Sequence, residues 1–257
     1  MSGGGHVFAR GSGLPRVARA SGCQVWDAEG RRYLDGAGGA IVVGIGHGVA
    51  SVAEAIAEQA ARVAYAHGTA FTSEALEAYA AELAALVPVD DARVYPVSGG
   101  AEAVETALKM ARAHHLARGE DRHVVISRWG SYHGNTRGAL DASGRASLRG
   151  PYLPWLGQAR HTPAAYEYRC GFDDTHPAGC GARHAEALER VILAAGPGRV
   201  AAFLAEPVAG AALGAAVPPD DYWPAVADDL ETTPDPTAEE LRLVREELDP
   251  EGVYVKR

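Results

Sequence analysis

Arg93-Val94-Tyr95-Pro96-Val97-Ser98-Gly99-Gly100-Ala101-Glu102-Ala103-Val104-Glu105 is the stretch that decides the fold. A short run rich in Val and Tyr stops at a serine and a glycine pair, and a run of alanines with helical spacing follows. The pattern predicts a strand over Arg93 to Val97 and a helix over Ala101 to Ala117. Where a strand feeds a helix through glycines, the backbone N–H groups of Gly99, Gly100 and Ala101 point at whatever sits on the positive end of the helix. Such a turn binds phosphate without a basic side chain, and taken alone it also reads as a tight turn with no ligand.

Downstream the rhythm continues, with a strand over His123 to Ser127, a helix over Ala185 to Ala195 and a strand over Val200 to Glu206. Val124-Val125-Ile126 and Val200-Ala201-Ala202-Phe203-Leu204 are short, nearly continuous apolar runs, the signature of parallel strands buried on both faces. The fold class is therefore α/β, with helices flanking a mixed, mostly parallel sheet. Leu148 to Ala182 is rich in Pro, Gly and aromatic residues, fits neither period, and is expected to be an excursion at an active site or interface.

Upstream, Cys23 to Asp35 holds two short apolar runs around Glu29-Gly30 and predicts a β-hairpin. Helical spacing recurs over Val49 to Ala64 and over Ser73 to Val87, the second capped by Thr72 or Ser73 and ended by Pro88. Residues 1–14 are Gly- and Ser-rich and expected to be loose. The expected organisation is a flexible segment over 1–14, an amino-terminal segment with hairpin and helix over 15–72, a partial large domain over 73–226 and an acidic, divergent tail over 227–257. Within the tail, Leu230 to Pro236 reads as a linker, Thr237 to Leu248 as an acidic amphipathic helix and Gly252 to Val255 as a strand stub.

Composition bounds the partners. Of a net charge of −9, residues 227–257 supply −6, so the body is close to balanced and carries no basic excess for nucleic acid. No apolar run approaches the roughly 20 residues that cross a bilayer, and Cys23, Cys170 and Cys180 are too few for a disulfide framework. A cytoplasmic protein that binds neither nucleic acid nor membrane is expected.

Ser131-Tyr132-His133-Gly134 follows the first apolar strand and Ala205-Glu206-Pro207-Val208 ends the second, both at carboxyl ends, where ligands of open α/β sheets collect. Alone, these read equally as a loop with a core aromatic and as a surface acid. Cys170, His176, Cys180 and His184 could ligate zinc chemically. Their spacing fits no standard site and glycines and prolines fill the gaps, so no metal is expected. Gly46-His47-Gly48 reads as loop-shaping, and Ser98 lacks the Gly-x-Ser-x-Gly elbow of a hydrolase nucleophile.

Together the glycine turn, Glu105-Thr106-Ala107-Leu108-Lys109-Met110-Ala111-Arg112, Tyr132-His133-Gly134, Glu206-Pro207-Val208 and Val217-Pro218-Pro219-Asp220-Asp221-Tyr222 resemble the first half of class III pyridoxal-phosphate (PLP) aminotransferases. The resemblance runs from about Val25 to Ala227. It implies the large domain of the fold-type I PLP transferases, incomplete here. It implies that Gly99, Gly100 and Ala101 hold the PLP phosphate, Tyr132 covers the pyridine ring, His133 makes a supporting contact and Glu206 lies near cofactor and substrate. The implied reaction moves an amino group from an amine or amino acid to a keto acid or aldehyde, in a homodimer or with a complementing carboxyl-terminal chain. Such chemistry needs a Schiff-base lysine and an acid on the pyridine nitrogen. The only lysines are Lys109, in the helix after the glycine turn, and Lys256. No catalytic residue is identifiable, and the chain is expected to be inactive alone. The alternatives are a non-catalytic PLP-binding or dimer-interface module, or a truncated product without function.

Overall fold

Val124 to Arg128, which opens on three successive β-branched residues, becomes the central strand of a three-stranded parallel sheet. The computed structural model describes residue 6 and residues 11–88, 91–172 and 179–232. These fall into two compact units, divided between Val94 and Tyr95.

In the first unit, β1 (Val17–Ser21), β2 (Gln24–Asp27) and β3 (Arg32–Leu34) form an antiparallel sheet in chain order. The expected hairpin is its β2–β3 half, with Gln24 opposite Leu34 and Trp26 opposite Arg32. Asp27 pins the turn: Oδ1 accepts from the amides of Glu29 (3.1 Å) and Arg31 (2.7 Å), and Oδ2 from the Tyr33 hydroxyl (2.7 Å). The Tyr33 bond, with those amides, holds the Asp27 carboxyl below the usual range against a desolvation cost. A helical turn, α1 (Gly38–Ile41), follows. His47 then pairs with Gly22 through two backbone bonds and meets Asp35 Oδ2 at 2.9 Å, so Gly46-His47-Gly48 shapes a loop as expected.

Helices α2 (Ala50–Arg62) and α3 (Glu74–Ala84) lie where their spacing predicts. Ser73 caps α3, its Oγ accepting from the Leu76 amide at 3.3 Å. Neither helix has a buried residue.

Across the division between the units the expectation is corrected: residues 93–97 form no strand. Pro96 has no N–H to donate to a ladder, and among the described residues no neighbouring strand bonds to the segment. The long helix α4 (Gly100–Ala117) leads to β4 (Val124–Arg128). After α5 (Arg137–Ala142), α6 (Ala146–Arg149) and a 3₁₀ segment (Gly150–Trp155) comes β5 (Arg160–Thr162). A second 3₁₀ turn (Glu167–Arg169), α7 (Cys180–Ala195), β6 (Val200–Leu204) and α8 (Tyr222–Thr232) complete the second unit.

The sheet order is β5-β4-β6, parallel throughout, with Ile126 beside Arg160 on one side and Phe203 on the other. Strand β5 sits inside the stretch expected to be irregular, since Arg-His-Thr offers no apolar run. Helix α7 starts earlier than predicted because Asp221, far along the chain, accepts from the Ala182 amide at 2.9 Å. The Gly196 that follows it has φ 86, a conformation suited to glycine, and Pro197 blocks continuation. The core joins Val124 and Ile126 of β4 to Ala185, Leu188, Val191 and Ile192 of α7 and Tyr222 and Val226 of α8.

Helix α8 runs unbroken through Ala227 to Thr232, so the change of composition there is no structural boundary, and the predicted linker is helical at its start. The predicted tail helix and strand stub, and most of residues 1–14, lie outside the described residues. No helix among the described residues is long and apolar enough to cross a membrane.

Candidate active site

The site is assembled at the carboxyl ends of β4 and β6, beside the amino end of α4. Gly99 is the residue preceding α4, with extended backbone (φ −167), and no side chain caps the first turn. Gly99 and Gly100 are exposed, and a Cβ placed on either would meet nothing within 4 Å, so the turn is open to solvent. An uncapped amino terminus of an 18-residue helix, open in this way, suits an anion.

The loop after β4 is pressed against this turn. Gly134 has φ 143, and a Cβ there would lie 2.8 Å from the Ala101 Cβ, so only glycine permits the approach. From the second turn of α4, Glu105 reaches across to α5. Its Oε1 accepts from the amides of Gly138 (2.8 Å) and Ala139 (3.2 Å) and so caps that short helix. Burial works against the Glu105 charge, but the Thr136 hydroxyl and these amides outweigh it and hold the carboxyl below its ordinary range. Nearby Lys109 contributes only its charge to Glu105, and it is exposed. Nine residues on from Gly100, it stands about 13 Å along the helix from the glycine turn.

Tyr132 and Glu206, distant in sequence, meet here. Glu206 Oε1 accepts from the Tyr132 amide at 2.9 Å and Oε2 from the Gly210 amide at 3.0 Å. The Tyr132 side chain itself is 42% exposed, free to face a ligand. Arg128, at the end of β4, donates to the Glu206 carbonyl and lies against the rings of Tyr222 and Trp223. His133 is buried, and its Nε2 pairs with Ser127 Oγ at 2.9 Å while its amide donates to Ser143 Oγ at 2.8 Å. Burial holds its imidazole below the usual histidine range; the Glu206 charge opposes this and Arg128 adds to it. His133 therefore anchors the loop from within.

A second layer went unseen in the sequence. Asp141 accepts from the amides of Gly157, Gln158 and Ala159 at 2.8–3.0 Å, while Arg149 donates to the carbonyls of Leu140, Asp141 and Ser143. Both side chains are buried, and they lock the end of α5 to α6 and to the turn that leads into β5. His161 stacks on Trp129 with centroids 4.3 Å apart, and burial, helped by Arg149, pushes its imidazole down to about 4. A single acid and a single arginine on short helices give no sequence signal for these contacts. Among the predicted residues, Gly99, Gly100, Ala101, Tyr132, His133 and Glu206 thus converge, and the predicted His176 lies outside the described residues.

Comparison with known proteins agrees with this geometry. The family model of the class III aminotransferases matches residues 7–230. The putrescine–pyruvate aminotransferase of Pseudomonas aeruginosa is 34% identical over 219 residues, which cover 83% of this chain and 47% of that protein. The taurine–pyruvate aminotransferase of Rhodobacter capsulatus is 37% identical over 216 residues, with 83% and 46% covered. Among solved structures, a thermostable (S)-enantioselective omega-transaminase from Thermomicrobium roseum matches with TM-score 0.82 and 38% identity, over 89% of this chain and 53% of that one. The chain spans about half the length of the curated relatives it matches.

Proposed function

The chain belongs to the class III aminotransferase family, and from that premise we propose that it supplies the phosphate and ring-face part of a fold-type I PLP site. The convergence of the glycine turn, Tyr132 and Glu206 at one edge of the sheet carries this reading. The first-turn amides of α4 would hold the phosphate, since they are uncapped and the turn is open to solvent. Tyr132, tethered by its amide, would cover one face of the pyridine ring, and His133 would keep the loop seated through Ser127 and Ser143. Glu206, a half-buried carboxylate tied to the Tyr132 and Gly210 amides, would be available to hold a polar group of cofactor or substrate.

PLP, when bound, supplies the electron sink for moving an amino group from an amine or amino acid to a keto acid or aldehyde. Of the two lysines, Lys109 is remote from the glycine turn and does not fit the role of the cofactor-bearing lysine, and Lys256 lies outside the described residues. In our reading the cofactor-bearing lysine and the acid for the pyridine nitrogen come from a complementing polypeptide, since a second copy of this chain brings only the same two lysines. The present chain alone then binds PLP reversibly and does not transaminate.

Equilibrium dialysis against PLP and against pyridoxal, which lacks the phosphate, tests the phosphate assignment. Retention of PLP well above pyridoxal is expected, with the preference lost in Gly99→Asp. That substitution meets no steric obstacle and sets a carboxylate where the phosphate belongs. Equal retention of the two compounds, or a stable adduct fixed on Lys109 by borohydride, overturns the reading.

A further inference from the structure

Cys170, Cys180 and His184 come together beside the first turns of α7, away from the site above. Cys180 and His184 are four residues apart on one face of the helix. Cys170 is brought to them by the 3₁₀ turn that ends at it, where its amide donates to the Glu167 carbonyl at 3.1 Å. The Sγ atoms of Cys170 and Cys180 are 2.7 Å apart, and Cys170 Sγ lies 3.9 Å from His184 Nε2. The three ligand atoms all lie within 4.8 Å of one another, the only such group of three among the described residues. His184 is 2% exposed, with the Phe172 ring edge-on to it at 4.8 Å. Among the described residues its Nδ1 has no hydrogen-bond partner.

We propose that Cys170, Cys180 and His184 form a zinc site that staples the segment before α7 to the helix. Two thiols and an imidazole are the soft and borderline donors that select Zn²⁺ over Mg²⁺ or Ca²⁺. With Zn–S near 2.3 Å and Zn–N near 2.0 Å, tetrahedral ligands stand about 3.6 Å apart. The Cys170 sulfur stands 3.9 Å from the imidazole nitrogen, close to that spacing, while the two sulfurs need to part by about 1 Å and the Cys180 sulfur and the imidazole, within 4.8 Å of each other, to draw together by up to about 1 Å. Two sulfurs drawn this close suit either a shared metal or a disulfide. The imidazole decides between them, because a disulfide has no use for a third ligand. On binding, Zn²⁺ displaces both thiol protons to solvent and forms two Zn–S bonds and one Zn–N bond, with no change of oxidation state. Two thiolates neutralise the ion, so a neutral centre sits in this half-buried pocket, and water takes the fourth position.

The test titrates the full chain, reduced and freed of metal, with Co²⁺. Thiolate-to-cobalt charge-transfer bands and tetrahedral d–d bands are expected to saturate at one ion per chain and to bleach on adding Zn²⁺. Cys170→Ser and Cys180→Ser should each abolish them, and Cys23→Ser, at an exposed cysteine elsewhere, should not. His184→Cys guards against loss of fold in the serine variants, because it keeps three ligands and should strengthen the charge-transfer bands. Alkylation separates the sources of protection: zinc should shield Cys170 and Cys180 until a chelator is added. Shielding released only by a reductant would assign the pair to a disulfide and overturn the zinc site. So would absent cobalt bands with every thiol open to alkylation.

Discussion

Helices α7 and α2 are written in the same hand and end in opposite surroundings. Both are alanine-rich with aliphatic side chains along one stripe, yet α7 buries eight of its sixteen residues and α2 none of its thirteen. Leu188 of α7 is fully enclosed, while Ile56 of α2 is 64% exposed. The contrast extends to the units that hold them: in the unit ending at Val94, Asp27 is the only buried side chain among the described residues, and the buried apolar residues all follow Val124. An amphipathic pattern therefore tells which face requires cover, and tertiary structure tells whether the cover is present.

The sharpest test of that contrast is Leu188→Ala. Leu188 is packed among β4, α7 and α8, and the substitution removes buried methyl groups and leaves a cavity. A loss of about 3 kcal/mol in urea unfolding is expected. A loss under about 1 kcal/mol would mean the α7 interface is as loose as α2's surface.

Acid should weaken the same region next. The His161 imidazole, folded, titrates at about 4 against 6.5 for a free histidine. Between these values the unfolded chain binds the proton and the folded chain does not, so stability is complete above pH 6.5 and falls as pH drops toward about 4. The loss from this group is roughly 2–3 kcal/mol. Unfolding measured at pH 7 and pH 5 should show the loss, and His161→Asn should lessen it, leaving the share of His133 and His184, whose imidazoles burial also holds low; an unchanged slope in that variant would remove His161 as a cause.

How much of this was legible in the sequence follows the same division between local and distant causes. Strands β4 and β6, helix α4, its glycine turn and the Tyr132 and Glu206 loops are each announced by residues next to one another. The residues that seat these pieces are not. Glu105 caps α5 and Asp221 caps α7 from other parts of the chain. Arg-His-Thr makes a strand only because β4 lies beside it. Residues 93–97 had the composition of a strand, and Pro96 together with the missing neighbour decided otherwise. The spacing of Cys170, Cys180 and His184 matched no standard site because the turn ending at Cys170 supplies proximity that spacing does not record.

A smaller effect belongs to the exposed unit. Ser73→Ala removes the oxygen that accepts from the Leu76 amide at the start of α3, and should cost about 1 kcal/mol or less. Since α3 has no buried residue, that local bond is a large part of what holds its first turn, and hydrogen exchange should quicken there and leave α7 unaffected.

The smallest change is expected at Ile56. A large-to-small substitution destabilises by removing contacts, and a side chain 64% exposed has few to lose. Alanine also has the higher helix propensity, which offsets part of what is lost. Ile56→Ala should therefore move the stability of the isolated chain by no more than about 0.5 kcal/mol. Val52 and Ile56 on α2, with Val63 just past its end, make the kind of stripe that Leu188, Val191 and Ile192 make on α7. A loss above 1 kcal/mol at Ile56 would show that this stripe too is covered in solution, and the two helices would then differ only in where their cover comes from.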